Sequence, residues 1–176
     1  MKIVIAAVCS ADGLLTRGAE ATVTHWSSKE DWEHFLVLRQ SFNLLVMGRK
    51  TYEAVRPMPE AEHLRVVLTS RPADFDTAAV QGQLEFINEQ PRELVALLEA
   101  RGYTSLLLLG GGQVNGAFLA AGLGDELYLT VEPLLFGAGT PLLGNIPANV
   151  TLQLLESRQL NERGTMLLHY AISLPA

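Results

Sequence analysis

The chain of 176 residues is about the size of one domain, which leaves no room for a second catalytic module. Hydrophobic residues make up 48% and charged residues 18%, a balance that excludes a disordered chain and supports a large buried core. Thirteen Lys and Arg against nineteen Asp and Glu give a net charge of -6, so there is no basic field for nucleic acid. A small phosphate ligand stays open, because helix N-termini and a few local cations bind anions whatever the global charge.

The one cysteine, Cys9, rules out an internal disulfide and a thiolate-rich zinc site. Set in an apolar run, it reads as a buried inert thiol, and a cytoplasmic location is expected. Residues 1–8 are apolar for too short a stretch to cross a bilayer, and no cleavage site follows, so they read as the first strand and no membrane segment is expected.

The unbroken β-rich run at 2–9 predicts a central strand covered on both faces. Residues 10–25 are small and polar, with Gly13 and Gly18, and are expected to form a mobile functional loop. Ser27 or Ser28 can cap a helix starting near Lys29, with Glu30 and Asp31 in the first turn, where the helix dipole favours acids. Trp32, Phe35, Leu36 and Arg39 are expected on its inner face.

A strand at 44–47 leads into Gly48-Arg49-Lys50-Thr51, which opens a short helix ended by Pro57. Then come a strand at 65–69, a loop with Pro72, a short strand at 84–87, a helix over about 91–101 and a strand at 105–109. Gly110-Gly111-Gly112 starts a helix over about 113–121, stopped by Gly122, before a strand at 126–131. Alternating strands and helices predict an α/β fold with a mostly parallel sheet and helices on both faces. A Gly- and Pro-rich loop over 133–147 precedes two strands, 151–157 and 166–173, expected as an antiparallel hairpin at the sheet edge.

Gly48-Arg49-Lys50-Thr51 brings backbone N–H groups, two cations and a hydroxyl to one strand-to-helix junction, which suits a phosphate or, more plainly, a solvated turn. The order departs from a Walker A loop. Gly110 to Gly112 form a second such junction, either a tight turn or a place where a ligand comes close. Asn115 stands where the dinucleotide fingerprint wants a glycine, so a standard Rossmann site is disfavoured. Two junctions together point to a cofactor with a diphosphate. Ser70-Arg71 sits at another strand end, where an Arg can meet a ribose 2'-phosphate or simply be exposed.

Asp31, one turn from Phe35, is either a dipole partner or a carboxyl facing an apolar cleft, with a raised pKa and a proton to give. Thr130, on an inner strand, can orient it. His25, His34, His63 and His169 show no metal-ligand spacing, and no Ser/His/Asp arrangement can be assembled, so no metal is expected.

In order and spacing, Ile5-Ala6-Ala7, Ser10-Ala11-Asp12-Gly13, Trp26, Asp31, Phe35, Met47 to Glu53, Leu68-Thr69-Ser70, Gly110-Gly111-Gly112 and Leu127 to Thr130 resemble the dihydrofolate reductase superfamily. That superfamily includes the reductase domain of riboflavin biosynthesis. The resemblance implies a dihydrofolate-reductase-like three-layer sandwich spanning 1–176. It also implies NADPH across the strand ends, and hydride transfer to a C=N bond of a pterin or pyrimidine.

Carried over residue by residue, the resemblance makes Asp31 and Thr130 catalytic, and gives substrate contacts to Ile5, Ala7, Trp26, Phe35, Arg39 and Leu109. The NADPH site would take Ala7, Leu15, Gly48, Arg49, Lys50 and Thr51, then Leu68, Thr69, Ser70 and Arg71. Gly110, Gly111, Gly112, Gln113, Val114 and Asn115 would complete it. The loop from Gly13 to Trp26 would be a lid.

The Met47 to Glu53 match, the Asp31/Phe35 pair and Leu127 to Thr130 point to the folate branch. Trp26-Ser27-Ser28, Leu38-Arg39, Gly112 to Asn115 and Ala121 to Leu127 point to the riboflavin branch. The riboflavin pattern has an acid where this chain has Leu109, and Asp-Asp-Pro with an Arg where it has Val55-Arg56-Pro57-Met58-Pro59. The folate pattern has a tail-gripping Arg where it has His63, with Arg56 or Arg65 as substitutes. Dihydrofolate is therefore expected as the substrate, with a phosphoribosylamino-pyrimidine as the alternative and a non-catalytic nucleotide-binding module as a second. The sequence does not fix the oligomeric state, though the apolar stretch 131–136 and the terminal hairpin are compatible with a homodimer.

Overall fold

The computed structural model describes residues 1–20, 22–144 and 150–174. Eight strands, β1 (Lys2–Ser10), β2 (Leu44–Gly48), β3 (Leu64–Leu68), β4 (Leu84–Ile87), β5 (Ser105–Leu108), β6 (Glu126–Glu132), β7 (Thr151–Gln159) and β8 (Met166–Ser173), form one sheet. Its order is β4-β3-β2-β5-β1-β6-β8-β7. The pairs among β1 to β6 are parallel, while β8 runs antiparallel to both β6 and β7. The expected α/β sandwich with its C-terminal hairpin is the architecture found.

The period-two alternation of strand side chains divides the core between two faces. Ile3, Ile5, Leu44, Val46, Leu64, Val66, Leu106 and Leu108 pack on one side with Leu94, Val95 and Leu98 of α3 (Pro91–Ala100) and Phe118 and Leu119 of α4 (Gly112–Ala120). On the other side, Val4, Leu45 and Leu107 meet Phe35 and Leu38 of α1 (Lys29–Arg39), and Met47 and Val67 meet Tyr52 of α2 (Arg49–Val55). Apolar residues in succession along β2 and β5 therefore serve two cores at once, which is why those runs are unbroken.

Ser28 is the N-cap of α1, its hydroxyl accepting from the Asp31 N–H at 3.3 Å. Trp32, expected on the inner face, is instead 44% exposed and tilts against Phe35 with ring centroids 5.4 Å apart. The position facing inward one residue earlier is taken by Asp31, so the helix turns a carboxyl and not an indole toward the sheet. Pro72–Phe75, expected as loop, is a short 3-10 turn that stacks Phe75 on Phe86 of β4. Arg56, in the left-handed region at φ 43°, caps α2 before Pro57 is reached.

Residues 11–18 of the segment expected to be a mobile loop after β1 are hydrogen-bonded to the Gly- and Pro-rich segment. Ala11, Leu15 and Gly18 donate to the carbonyls of Leu134, Thr140 and Ala138, and Leu142 donates back to Gly13. The Asp12 carboxylate accepts from the Ser10 hydroxyl and from the Gly137 and Phe136 N–H groups, and these bonds, the Ser10 one foremost, hold its pKa down near 2. The Gly- and Pro-rich segment is thus its partner as far as Leu142, Gly144 donates instead to the Gly112 carbonyl, and 145–147 lie outside the described residues.

Candidate active site

The carboxyl ends of the parallel strands open into a cleft of about 860 Å³ beneath α1 and between the first turns of α2 and α4. This is where open α/β sheets hold ligands. At one end Arg49, Lys50 and Thr51 start α2, and Gly111, Gly112 and Gln113 start α4. The two starts are physically joined. The Thr51 hydroxyl accepts from the Gly111 N–H at 2.8 Å, and the Gly48 N–H donates to the Gly110 carbonyl at 2.7 Å. First-turn N–H groups have no partner within their own helix and present donors to an anion. Asn115 is 1% exposed, and among the described residues its Oδ1 has no hydrogen-bond partner. Donors, two cations and an orphaned amide oxygen suit a diphosphate with a polar head.

At the other end Asp31 faces Thr130 and Ser27. Asp31 is only 8% exposed, and burial pushes its pKa up to about 6, helped by the charge of Glu132 and opposed by hydrogen bonding with the Thr130 and Ser27 hydroxyls. Phe35, Leu109 and Tyr128 give this end apolar walls for a flat ring.

The cleft also takes in Ala7, Leu15, Arg39, Gly48, Leu68, Thr69, Ser70 and Val114 from the sequence expectation. Four expected residues fall elsewhere. Ile5 is 1% exposed in the core on the α3 and α4 side, because its odd register on β1 points away from α1. Trp26 is buried edge-on against Phe136, with ring centroids at 5.0 Å, as part of the packing under the loop pair. Gly110, at φ 74°, sits behind the junction, where a side chain would meet Asn115. Arg71 turns outward to Asp74 at 3.3 Å.

The model of the RibD C-terminal domain family matches residues 1–166. This chain belongs to that family. As a RibD C-terminal domain it is 27% identical over 135 residues to the uncharacterized protein YwjB of Bacillus subtilis, covering 74% of each chain. A pyrimidine reductase-like protein from Corynebacterium diphtheriae shares the fold with a TM-score of 0.81 at 16% identity, over 99% of this chain and 92% of that one. A diaminohydroxyphosphoribosylaminopyrimidine deaminase/5-amino-6-(5-phosphoribosylamino)uracil reductase from Thermotoga maritima does so with a TM-score of 0.75 at 14% identity. That match covers 98% of this chain and 56% of the longer enzyme.

Among the contributors to this domain's cleft that sequence reasoning missed are Ser27, His34 and Tyr128. Ser27 and His34 face it from the approach to α1 and from its second turn, and Tyr128 reaches it from β6, stacked on His169 at 3.9 Å. A further polar residue behind the cleft, Glu132, was also missed, since an acid near a strand's end normally signals solvent. Of the two residues that could replace the tail-gripping Arg of the folate pattern, Arg65 pairs with Glu60 at 3.0 Å, as Arg39 also does at 2.7 Å, and Arg56 is exposed at the end of α2. Among the described residues no cluster of His, Cys, Asp and Glu is placed to hold a metal ion, and no helix is long and apolar enough to cross a membrane.

Proposed function

We propose that this domain is an NADPH-dependent reductase of an aminopyrimidine of the riboflavin pathway, adding hydride to the carbon and a proton to the nitrogen of a C=N bond. One observation carries it: a buried acid, Asp31, shares a single cleft with the joined helix starts at Thr51 and Gly111, in a member of the RibD C-terminal domain family. The reduced nicotinamide supplies the hydride. Arg49, Lys50 and Thr51, with the first turn of α4, would hold the cofactor phosphates, and Asn115 would meet its polar head. Phe35, Leu109 and Tyr128 would flatten the heterocycle against the cofactor plane, and positioning of this kind provides much of the rate. Asp31, neutral below about pH 6, would release its proton directly or through a water to the exocyclic nitrogen that joins the pyrimidine to the opened sugar, while the sugar carbon of that C=N bond takes the hydride.

The pyrimidine is preferred here to dihydrofolate, reversing the expectation from sequence. The relatives favour it, and Arg65, one of the two residues that could replace the tail-gripping Arg, is buried and engaged by Glu60 at 3.0 Å. Purified protein assayed side by side with 5-amino-6-(5-phosphoribosylamino)uracil and dihydrofolate tests the choice: NADPH oxidation with the uracil supports it, and oxidation with dihydrofolate alone overturns it.

A further inference from the structure

Glu132 is an acid at the carboxyl end of β6 with no exposed surface. A carboxylate so placed needs partners, because burying an unpaired charge is far more unfavourable than burying a bonded one. It has two. Oε1 accepts from the Ser28 N–H at 2.6 Å and Oε2 accepts from the Thr165 hydroxyl at 2.7 Å. Ser28 is the residue that caps α1 and bonds the Asp31 N–H. Thr165 just precedes β8 and is bonded in turn by Asn161, whose amide also donates to Glu30 at 3.0 Å. The registers Val8 to Thr130 and Ser10 to Glu132 put Thr130 and Glu132 on the same face of β6, the face that α1 covers.

We propose that Glu132 is a positioning residue for proton delivery, its carboxylate fixing the start of α1, and with it the Asp31 carboxyl, against Thr130 on the strand they share. This rests on the reductase reading. Glu132 acts in a second way through its charge. Among the described residues, the charged group that bears on Asp31 is Glu132 on β6, while the others acting on it, Thr130 on β6 and Ser27 before α1, are neutral hydroxyls. A like charge close by disfavours ionisation, so Glu132 keeps the Asp31 proton in place at higher pH than burial alone would.

The test uses Glu132→Gln, which removes the charge yet keeps both anchors: the amide oxygen accepts from Ser28, and the amide nitrogen donates to a rotated Thr165 hydroxyl. The Asp31 carboxyl is followed by carbon NMR through a pH titration, assigned with Asp31→Asn, alongside the pH dependence of kcat. The expected result is an Asp31 midpoint lower by about half a pH unit, and kcat above that midpoint lower by about threefold with KM little changed. Thr165→Val keeps the charge and weakens the anchor, so its kcat should fall with the Asp31 midpoint in place. An unmoved midpoint in Glu132→Gln, or unaltered kcat in Thr165→Val despite a lower Tm, overturns the proposal and leaves Glu132 a fold-stabilising residue. If the midpoint moves as expected but the wild-type protein reduces no pyrimidine, the reductase reading fails while the hold of Glu132 on Asp31 stands.

Discussion

The Thr51 hydroxyl accepts a 2.8 Å hydrogen bond from the Gly111 N–H, joining two helix starts that lie 60 residues apart in sequence. Either junction alone is an ordinary turn; bonded together they make one lip of a cleft. Thr51→Val keeps the shape but removes the acceptor, and a neutral hydrogen bond is worth about 1 kcal/mol. NADPH binding, followed by fluorescence titration, should weaken about fivefold in Thr51→Val and recover in Thr51→Ser.

Asp31→Asn should lower turnover at neutral pH by more than about tenfold with NADPH affinity little changed, since the proposed reading puts the acid beside the substrate and the cofactor phosphates at the other end. In the wild type, turnover should fall as pH rises through about 6, where the carboxyl loses its proton. A profile flat through that region would remove Asp31 from the rate-limiting proton transfer.

The same raised pKa has a consequence for stability. The unfolded chain ionises Asp31 near its ordinary 3.8 and the folded chain only near 6, so folding is disfavoured progressively as pH climbs between them. The full effect above about pH 6 is about 3 kcal/mol. Asp31→Asn should therefore raise Tm at pH 8 and leave it nearly unchanged at pH 4, as read by thermal melts.

Gly112 is confined by its surroundings: a Cβ there would lie 2.3 Å from the Pro141 carbonyl oxygen, which is backbone and cannot swing aside. Gly112→Ala should force apart α4 and the segment carrying Pro141, at a cost of about 1–3 kcal/mol. Urea denaturation should register that loss, and NADPH affinity should fall with it.

Arg71 is 68% exposed and paired with Asp74, outside the cleft wall that Ser70 helps form. Surface pairs of this kind are weak and yield easily to a phosphate. Arg71→Ala should weaken NADPH much more than NADH in parallel titrations, and equal losses would remove Arg71 from recognition of the 2'-phosphate.

The sheet was legible because the runs at β1, β2 and β5 are apolar without interruption, which happens only where both faces are covered. Asp31 could be picked out from its spacing to Phe35, and Gly48 to Thr51 from its place between strand and helix. Trp32 misled because helical periodicity tells which residues share a face, not which face the sheet takes. Ile5 belonged to the family pattern, but strand parity sends its side chain into the opposite core. Glu132 gave no local signal at all: its partners, Ser28 and Thr165, are 104 and 33 residues away and meet it only in the folded sheet. The pairing of residues 11–18 with 134–142 was hidden for the same reason, since a small polar segment and a Gly- and Pro-rich one each read as separate loops.

The most direct measurement of the central claim is isotopic. Protein supplied with NADPH deuterated at nicotinamide C4 and with 5-amino-6-(5-phosphoribosylamino)uracil should yield a product carrying a single deuterium on the carbon of the reduced C=N bond, and Asp31→Asn should form it far more slowly. Tight NADPH binding with no deuterium passed to the pyrimidine or to dihydrofolate would contradict the account and leave a nucleotide-binding domain without reductase chemistry.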